Sequence, residues 1–233
     1  TIGQTYNIRV YSFTANELQN STFDICIFTV PPAITTDTET YTVDQLVTDV
    51  LINSECSQAF NVTYSTGSDF GTTNGIGYFE SNSSSWPFES GLIMTSGDVL
   101  NAVGPETGVL SDGNYDWPGD ADLESFIPGL NDGDTNNASI VEFDFVPVTD
   151  RMSFDFIFAA EEYGTFQCTF TDAFAFLLTD SQGVTTNLAI VPGTEDPISV
   201  LTVRDGQFNG NCESVNEEFF GNYYGDGGLP TLT

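Results

Sequence analysis

The chain has 233 residues, enough for one large domain or one and a half at about 150 residues each. It carries 34 Asp and Glu against three bases, Arg9, Arg151 and Arg204, with no Lys and no His, for a formal net charge of −31. These counts exclude a histidine base, a Ser-His-Asp triad, a His-ligated metal and a Schiff-base lysine, and leave little to neutralise nucleic-acid phosphates.

Residues 5–13 (TYNIRVYSF) and 23–30 (FDICIFTV) alternate like two strands joined by a polar loop. Pro31-Pro32 and a Thr/Asp-rich stretch then break the pattern, so residues 1–31 are expected as the terminal strands of a preceding β-domain and 32–40 as a linker. Two strands bury too little apolar surface to stand alone, so 1–31 should pair with another sheet, such as an open edge of the following domain. Over residues 42–52, Val43, Leu46, Val47, Val50 and Leu51 make an apolar helical stripe, and Thr42 with Gln45 makes a capping box. This is the one short amphipathic helix expected. Beyond it lie short candidate strands at 60–64, 76–79, 91–96, 139–148, 152–160, 173–179, 187–192 and 198–203, separated by Gly, Asn, Asp and Pro clusters. That pattern predicts a mainly β fold, an antiparallel β-sandwich of jelly-roll kind over 41–233. Within it, Phe143 and Phe145, and likewise Phe154, Phe156 and Phe158, share a face, with Glu142, Asp144 and Asp155 on the other.

Acidity of this degree often accompanies disorder, but 20 Phe, 9 Tyr and 2 Trp supply a core. No apolar run reaches the ~18 residues of a membrane span. Neither an initiator Met nor a signal peptide is present, so the sequence is read as a mature or excised piece. Cys26, Cys56, Cys168 and Cys212 are widely spaced without a CxxC, which favours disulfides of an exported protein over a metal cluster. Three pairings are open. Cys168 with Cys212 is favoured, because it would staple two irregular segments of modest apolar content. Four N-x-S/T triplets (Asn20, Asn61, Asn82, Asn137) fit a polar exported surface but are frequent by chance in so Asn- and Thr-rich a chain.

Chemistry concentrates in two acidic places. Residues 112–134 hold seven acids and no base, and Asp112-x-Asn114-x-Asp116 opens like a calcium loop. Trp117 stands at its glycine position and Leu123 where the bidentate Glu belongs, so this is not an EF-hand. Carboxylates on pliable Gly/Asn turns still suit Ca²⁺, which makes Asp112, Asn114, Asp116, Asp120, Asp122 and Glu124 candidate ligands. The second place is Glu161-Glu162-Tyr163, with Asp172 ten residues on; all three acids are further candidate ligands. In a strand Glu161 and Glu162 would face opposite ways, but one of them with Asp172 could hold a metal or flank a sugar. Tyr115, Trp117, Tyr163, Tyr223 and Tyr224 lie beside acids and amides, either as a carbohydrate platform or as cover for the sandwich ends.

From the helix TVDQLVTDVLI through GIGYF, GLIMTSG, GDADLE and VEFDFVPVTDRMSFDFIFAAEEYGTFQCTFTDAFAFLL to NLAIVPGTEDPISV, the chain resembles the choice-of-anchor L domain of bacterial secreted and surface proteins. The resemblance spans about residues 41–230. Residues 1–31 are similar instead to the last strands of an exported sandwich of the pre-peptidase C-terminal kind. Family members usually continue into further strands, so the chain is expected to be cut from a longer protein at both ends. The resemblance implies export, in Bacteroidota commonly by type IX secretion, attachment to the cell surface, adhesin-like use and no catalytic residues. The function expected is a non-enzymatic module of a surface adhesin or extracellular fibre, with Ca²⁺ stiffening its acidic loops. Its partners would be neighbouring domains or copies and surface glycans. The rivals are a carbohydrate-binding module, a carboxylate-based glycoside hydrolase and a purely structural spacer.

Overall fold

The computed structural model describes residues 32–52, 58–82, 86–103, 110–148, 150, 152–221 and 223. The chain divides into two compact units, Thr1–Pro31 and Pro32–Thr233, and all described residues belong to the second. The expected strands at 5–13 and 23–30, with Cys26 and Cys56, lie outside the described residues.

The described part is mainly β with antiparallel pairing throughout and few helices, as a mainly β sandwich requires. Strand β1 (Ile34–Asp37) lies within residues 32–40, which the sequence pattern assigned to a linker. The β-branched run Ile34-Thr35-Thr36 suits a pleated ladder, and pairing with β3 (Ile76–Ser81) overrides the local Thr/Asp polarity. β3 in turn pairs with β4 (Ser90–Met94), giving a three-stranded sheet of order β1-β3-β4. Strands β2 (Gln58–Ser65) and β5 (Ile140–Val146) form a separate antiparallel pair, whose register shifts between Phe60 and Thr63. The bulge falls at Asn61, at φ 54°, a left-handed conformation that Asn tolerates better than most side chains.

The helix expected over 42–52 forms as α1 (Val43–Gln45), which widens into a π-helical turn over Leu46–Leu51. Both halves of the capping box are made: Thr42 Oγ1 accepts from Gln45 N at 3.3 Å and Gln45 Oε1 from Thr42 N at 2.9 Å. In the widened turn Ile52 N donates to Val47 O at 3.0 Å, five residues back. Of the predicted stripe, Leu46 and Val47 are buried, whereas Leu51 is 39% exposed. One extra residue per turn rotates the stripe's far end off the core.

A second helix, α2 (Ala121–Phe126), sits inside the acidic segment expected to be loop. Its signals were present: Asp120 caps Leu123 N at 2.7 Å, and Asp122 and Glu124 occupy the positive N-terminal turn. The C-terminal half is less regular than its alternation predicted. Residues 152–160 do not make a continuous strand. The expected strand at 173–179 splits into β6 (Ala173–Phe174) and β7 (Leu177–Thr179). β8 (Thr185–Asn187) pairs with β7, and β9 (Ile198–Ser199) with β6 before the chain turns at Thr202. Aromatic packing, rather than a ladder, places residues 152–158: the Phe154 ring lies 4.0 Å from Phe176 and Phe156 lies 5.2 Å from Phe174. Phe158, Tyr163, Ala189, Val191, Ile198, Val200 and Val203 then close a core around them. Cys168 and Cys212 are joined by a disulfide, the pair favoured from the sequence.

Candidate functional site

The acids of residues 112–134 are spread along the segment, and three of the seven, Asp120, Glu124 and Asp134, bond to its own backbone or that of adjoining Thr135. Glu124, only 7% exposed, accepts from Gly133 N at 2.9 Å, Thr135 N at 2.7 Å and Thr135 Oγ1 at 2.6 Å. Those bonds, that of the Thr135 hydroxyl first, hold its carboxyl below the usual carboxylate range. Asp120 caps α2, Asp112 accepts from Asn101 Nδ2 at 2.7 Å, and Asn114 Oδ1 accepts from Asp116 N and Trp117 N. Asp116 and Asp122 point into solvent. Among the described residues, no three acidic or cysteine side chains gather closely enough to hold a metal ion between them.

The segment's hub is apolar. Trp117 is fully buried, donates from Nε1 to Ala138 O at 2.8 Å, and fills the space left by the missing side chains of Gly67 and Gly75. Tyr163 is buried as well, with its hydroxyl on Val203 O at 2.8 Å, and Tyr223 packs against the same core. Tyr115 is 95% exposed. These aromatics therefore do not form one platform: two are core, one packs against it, one stands in solvent, and Tyr224 lies outside the described residues.

Glu162 and Asp172 do come together. Glu162 lies in the turn after Ala160, Asp172 just before β6, and their carboxyl groups are in hydrogen-bond contact. Burial, then the facing Glu162 and the charges of Glu162 and Glu161, push the Asp172 carboxyl well above the usual carboxylate range. Glu162 Oε2 is closed to solvent and has no hydrogen-bond donor among the described residues. A glycosidase separates its two carboxyls by about 5 Å or more and opens them to a sugar. In this pair Glu162 Oε2 is closed off from solvent.

An open groove of about 440 Å³ that the sequence pattern did not single out lies on the β1–β3 face. The register sets Asp37 opposite Tyr78 and Thr35 opposite Glu80, so these four share one side of the sheet. Tyr41, just before α1, brings its ring centroid to 5.0 Å from that of Tyr78 at 54°. Asp37 Oδ1 accepts from Glu39 N and Thr40 N, holding the turn that delivers Tyr41. Thr36, paired with Phe79, turns its side chain to the opposite face, where its Oγ1 is buried with no hydrogen-bond partner among the described residues. The groove thus offers two tyrosine rings, two carboxylates and several hydroxyls, with no basic side chain among the described residues. In the sequence it is signalled only by the alternation of Tyr78 and Glu80 in β3, because its partner strand falls in a stretch of linker-like Thr/Asp composition.

The described part is mainly β and disulfide-bearing, with a polar and aromatic groove on its β1–β3 face. The family model of the Choice-of-anchor L domain matches residues 34–231, and the chain belongs to that family, a family of secreted and cell-surface protein modules. No curated protein and no solved structure matches the chain. Among the described residues, no helix is long and apolar enough to cross a membrane.

Proposed function

We propose that this domain is a non-enzymatic adhesion module of a bacterial surface protein or extracellular fibre. Its partners would be neighbouring domains, further copies of itself or surface glycans. Family membership across residues 34–231 carries the reading. Two features of the site favour binding over catalysis. In the carboxyl pair at Glu162 and Asp172, Glu162 Oε2 is closed to solvent, where a glycosidase keeps both carboxyls open to a sugar. The open groove holds flat rings and hydrogen-bonding groups but no histidine, lysine or cysteine to act as base or nucleophile.

The groove also supports a second reading, a carbohydrate-binding module. Sugar C–H faces stack on tyrosine rings, and carboxylates and threonine hydroxyls bond to sugar hydroxyls. Beads coated with the full chain should adhere to glycan-coated or bacterial surfaces, or to one another. Tyr41→Ala combined with Glu80→Gln should remove glycan attachment while leaving bead-to-bead association. Failure of coated beads to attach to any surface or to each other overturns the adhesion reading. Release of reducing sugar from a panel of polysaccharides overturns the non-enzymatic one.

A further inference from the structure

We propose that the β1–β3 groove binds an amino sugar, a glycan unit that carries a free, protonated amine. The inference deepens the carbohydrate-binding reading and rests on it. Asp37 and Tyr78 are cross-strand partners, and Thr35 and Glu80 are the next pair on the same side of the sheet. Asp37 and Glu80 are therefore diagonal neighbours, with backbone positions about 7–8 Å apart and the Tyr78 side chain beside both. The Tyr41 ring meets that of Tyr78 at 54°, so the two are not stacked flat on each other, and both line the groove. The amide and hydroxyl of Thr40 hold the Asp37 carboxyl below the usual carboxylate range, so it is an anion at neutral pH. Among the described residues no basic side chain lines the groove, and the chain has no lysine to supply one.

Each part of the groove selects among ligands. An anionic sugar would meet two carboxylates and a chain of net charge −31, with no base to receive it. A neutral sugar can lay its C–H face on a tyrosine ring, but it leaves both carboxylates without a counter-charge. An ammonium group brings three donors to the carboxylates and is attracted to the faces of the tyrosine rings as well. A lysine side chain would carry the same charge but would use less of the groove. Thr35 Oγ1 donates to Glu80 O at 3.4 Å and the Thr40 hydroxyl bonds to Asp37, so both hydroxyls keep lone pairs for an incoming donor. A sugar ring presents hydroxyls beside its amine, whereas a lysine stem presents only methylenes. The site is open and Glu80 is exposed, so its ion pairs are screened by water and the affinity falls in about the millimolar range.

The test is titration calorimetry of the full chain at fixed ionic strength and about pH 6, where such amines are protonated. The probes are a glucosamine trisaccharide, its fully N-acetylated counterpart, a galacturonic acid trisaccharide and trilysine. The glucosamine trimer should bind saturably, about tenfold more tightly than the N-acetylated trimer, and the galacturonic trimer should not bind. Tyr41→Ala and Glu80→Gln should each weaken the glucosamine trimer about fivefold. Glu80→Gln keeps the side chain's shape at an exposed position, so it should melt with the parent, which separates loss of the site from failure to fold. Asp122→Asn, the same charge change in the exposed acidic segment, should bind as the parent does. Equal affinity for the two glucosamine-based trimers overturns the inference and leaves the carbohydrate-binding reading standing. If none of the sugars binds, both fall together. The inference is also overturned if trilysine binds as tightly as the glucosamine trimer, or if Asp122→Asn weakens that trimer as much as Glu80→Gln does.

Discussion

Glu124 illustrates how a carboxylate in a crowd of acids can be structural. It accepts three bonds from Gly133 and Thr135, drawing the segment after α2 back onto the helix. Glu124→Ala should therefore expose residues 131–137, seen as faster cleavage there by a non-specific protease and as a lower Tm. Glu124, Asp37 and Asp180 all bind a proton less readily folded than unfolded: Glu124 mainly through Thr135, Asp37 through the Thr40 amide and Asp180 through the Val184 amide. The stability each lends is complete above its unfolded pKa and is lost as pH falls through the lower folded one. Amide exchange, corrected for its intrinsic pH dependence, should thus lose protection at Thr40, Thr135 and Val184 below the usual carboxylate range of about 4. Unchanged protection of these three at pH 3 would contradict the assignment. At the apolar extreme stands Trp117, wedged against Gly67 and Gly75. Trp117→Ala should cost roughly 3–5 kcal/mol in denaturant unfolding.

Among elements, α1 and the disulfide show local and non-local information meeting. The capping box at Thr42 and Gln45 starts the helix as the sequence pattern predicts, but the π-helical widening from Leu46 is not legible there. It depends on seating Leu46 and Val47 in a core whose other members come from distant residues. The Cys168–Cys212 bond closes a separation of 44 residues. Beside it, fully buried Gln167 donates to Asp205 O at 3.0 Å and accepts from Gly164 N at 3.1 Å, so bond and amide fasten the same two segments. By loop-closure entropy, Cys168→Ser with Cys212→Ser should destabilise the domain by about 3–4 kcal/mol. A loss well under 1 kcal/mol would mean that Gln167 and its neighbours hold the segments unaided.

At the scale of the molecule, a net charge of −31 makes the folded state repel itself. Raising NaCl from about 0.01 M to about 1 M shortens the screening length from about 30 Å to about 3 Å. Tm in chelator should therefore climb steadily with salt. A Tm independent of salt would show that the carboxylates are spaced too widely for their repulsion to matter. This monovalent response has no saturation point, which distinguishes it from the binding of a specific ion.

Signals confined to a few neighbouring residues were legible in the sequence. The capping box at Thr42, the strands at Ile76–Ser81 and Ile140–Val146 with Phe143 and Phe145 turned inward, and the mainly β class all follow from period and turn chemistry over short windows. The family stretch at residues 152–178 was legible as well, although its Phe residues lock by ring packing and not as the continuous strand that its alternation suggested. What only the tertiary structure decided is which distant groups meet. Ile34–Asp37 becomes a strand because β3 lies beside it, and with that pairing the Tyr41–Tyr78 groove comes into being. Most acids of residues 112–134, evenly attractive as calcium ligands on paper, are drawn to amides and hydroxyls of their own segment or of Asn101. Glu162 and Asp172, separated by ten residues, are brought face to face. The reason is physical. Helix and strand signals arise from backbone periodicity, but a carboxylate's role depends on which donor, charge or solvent lies within a few ångströms, and long-range packing sets that.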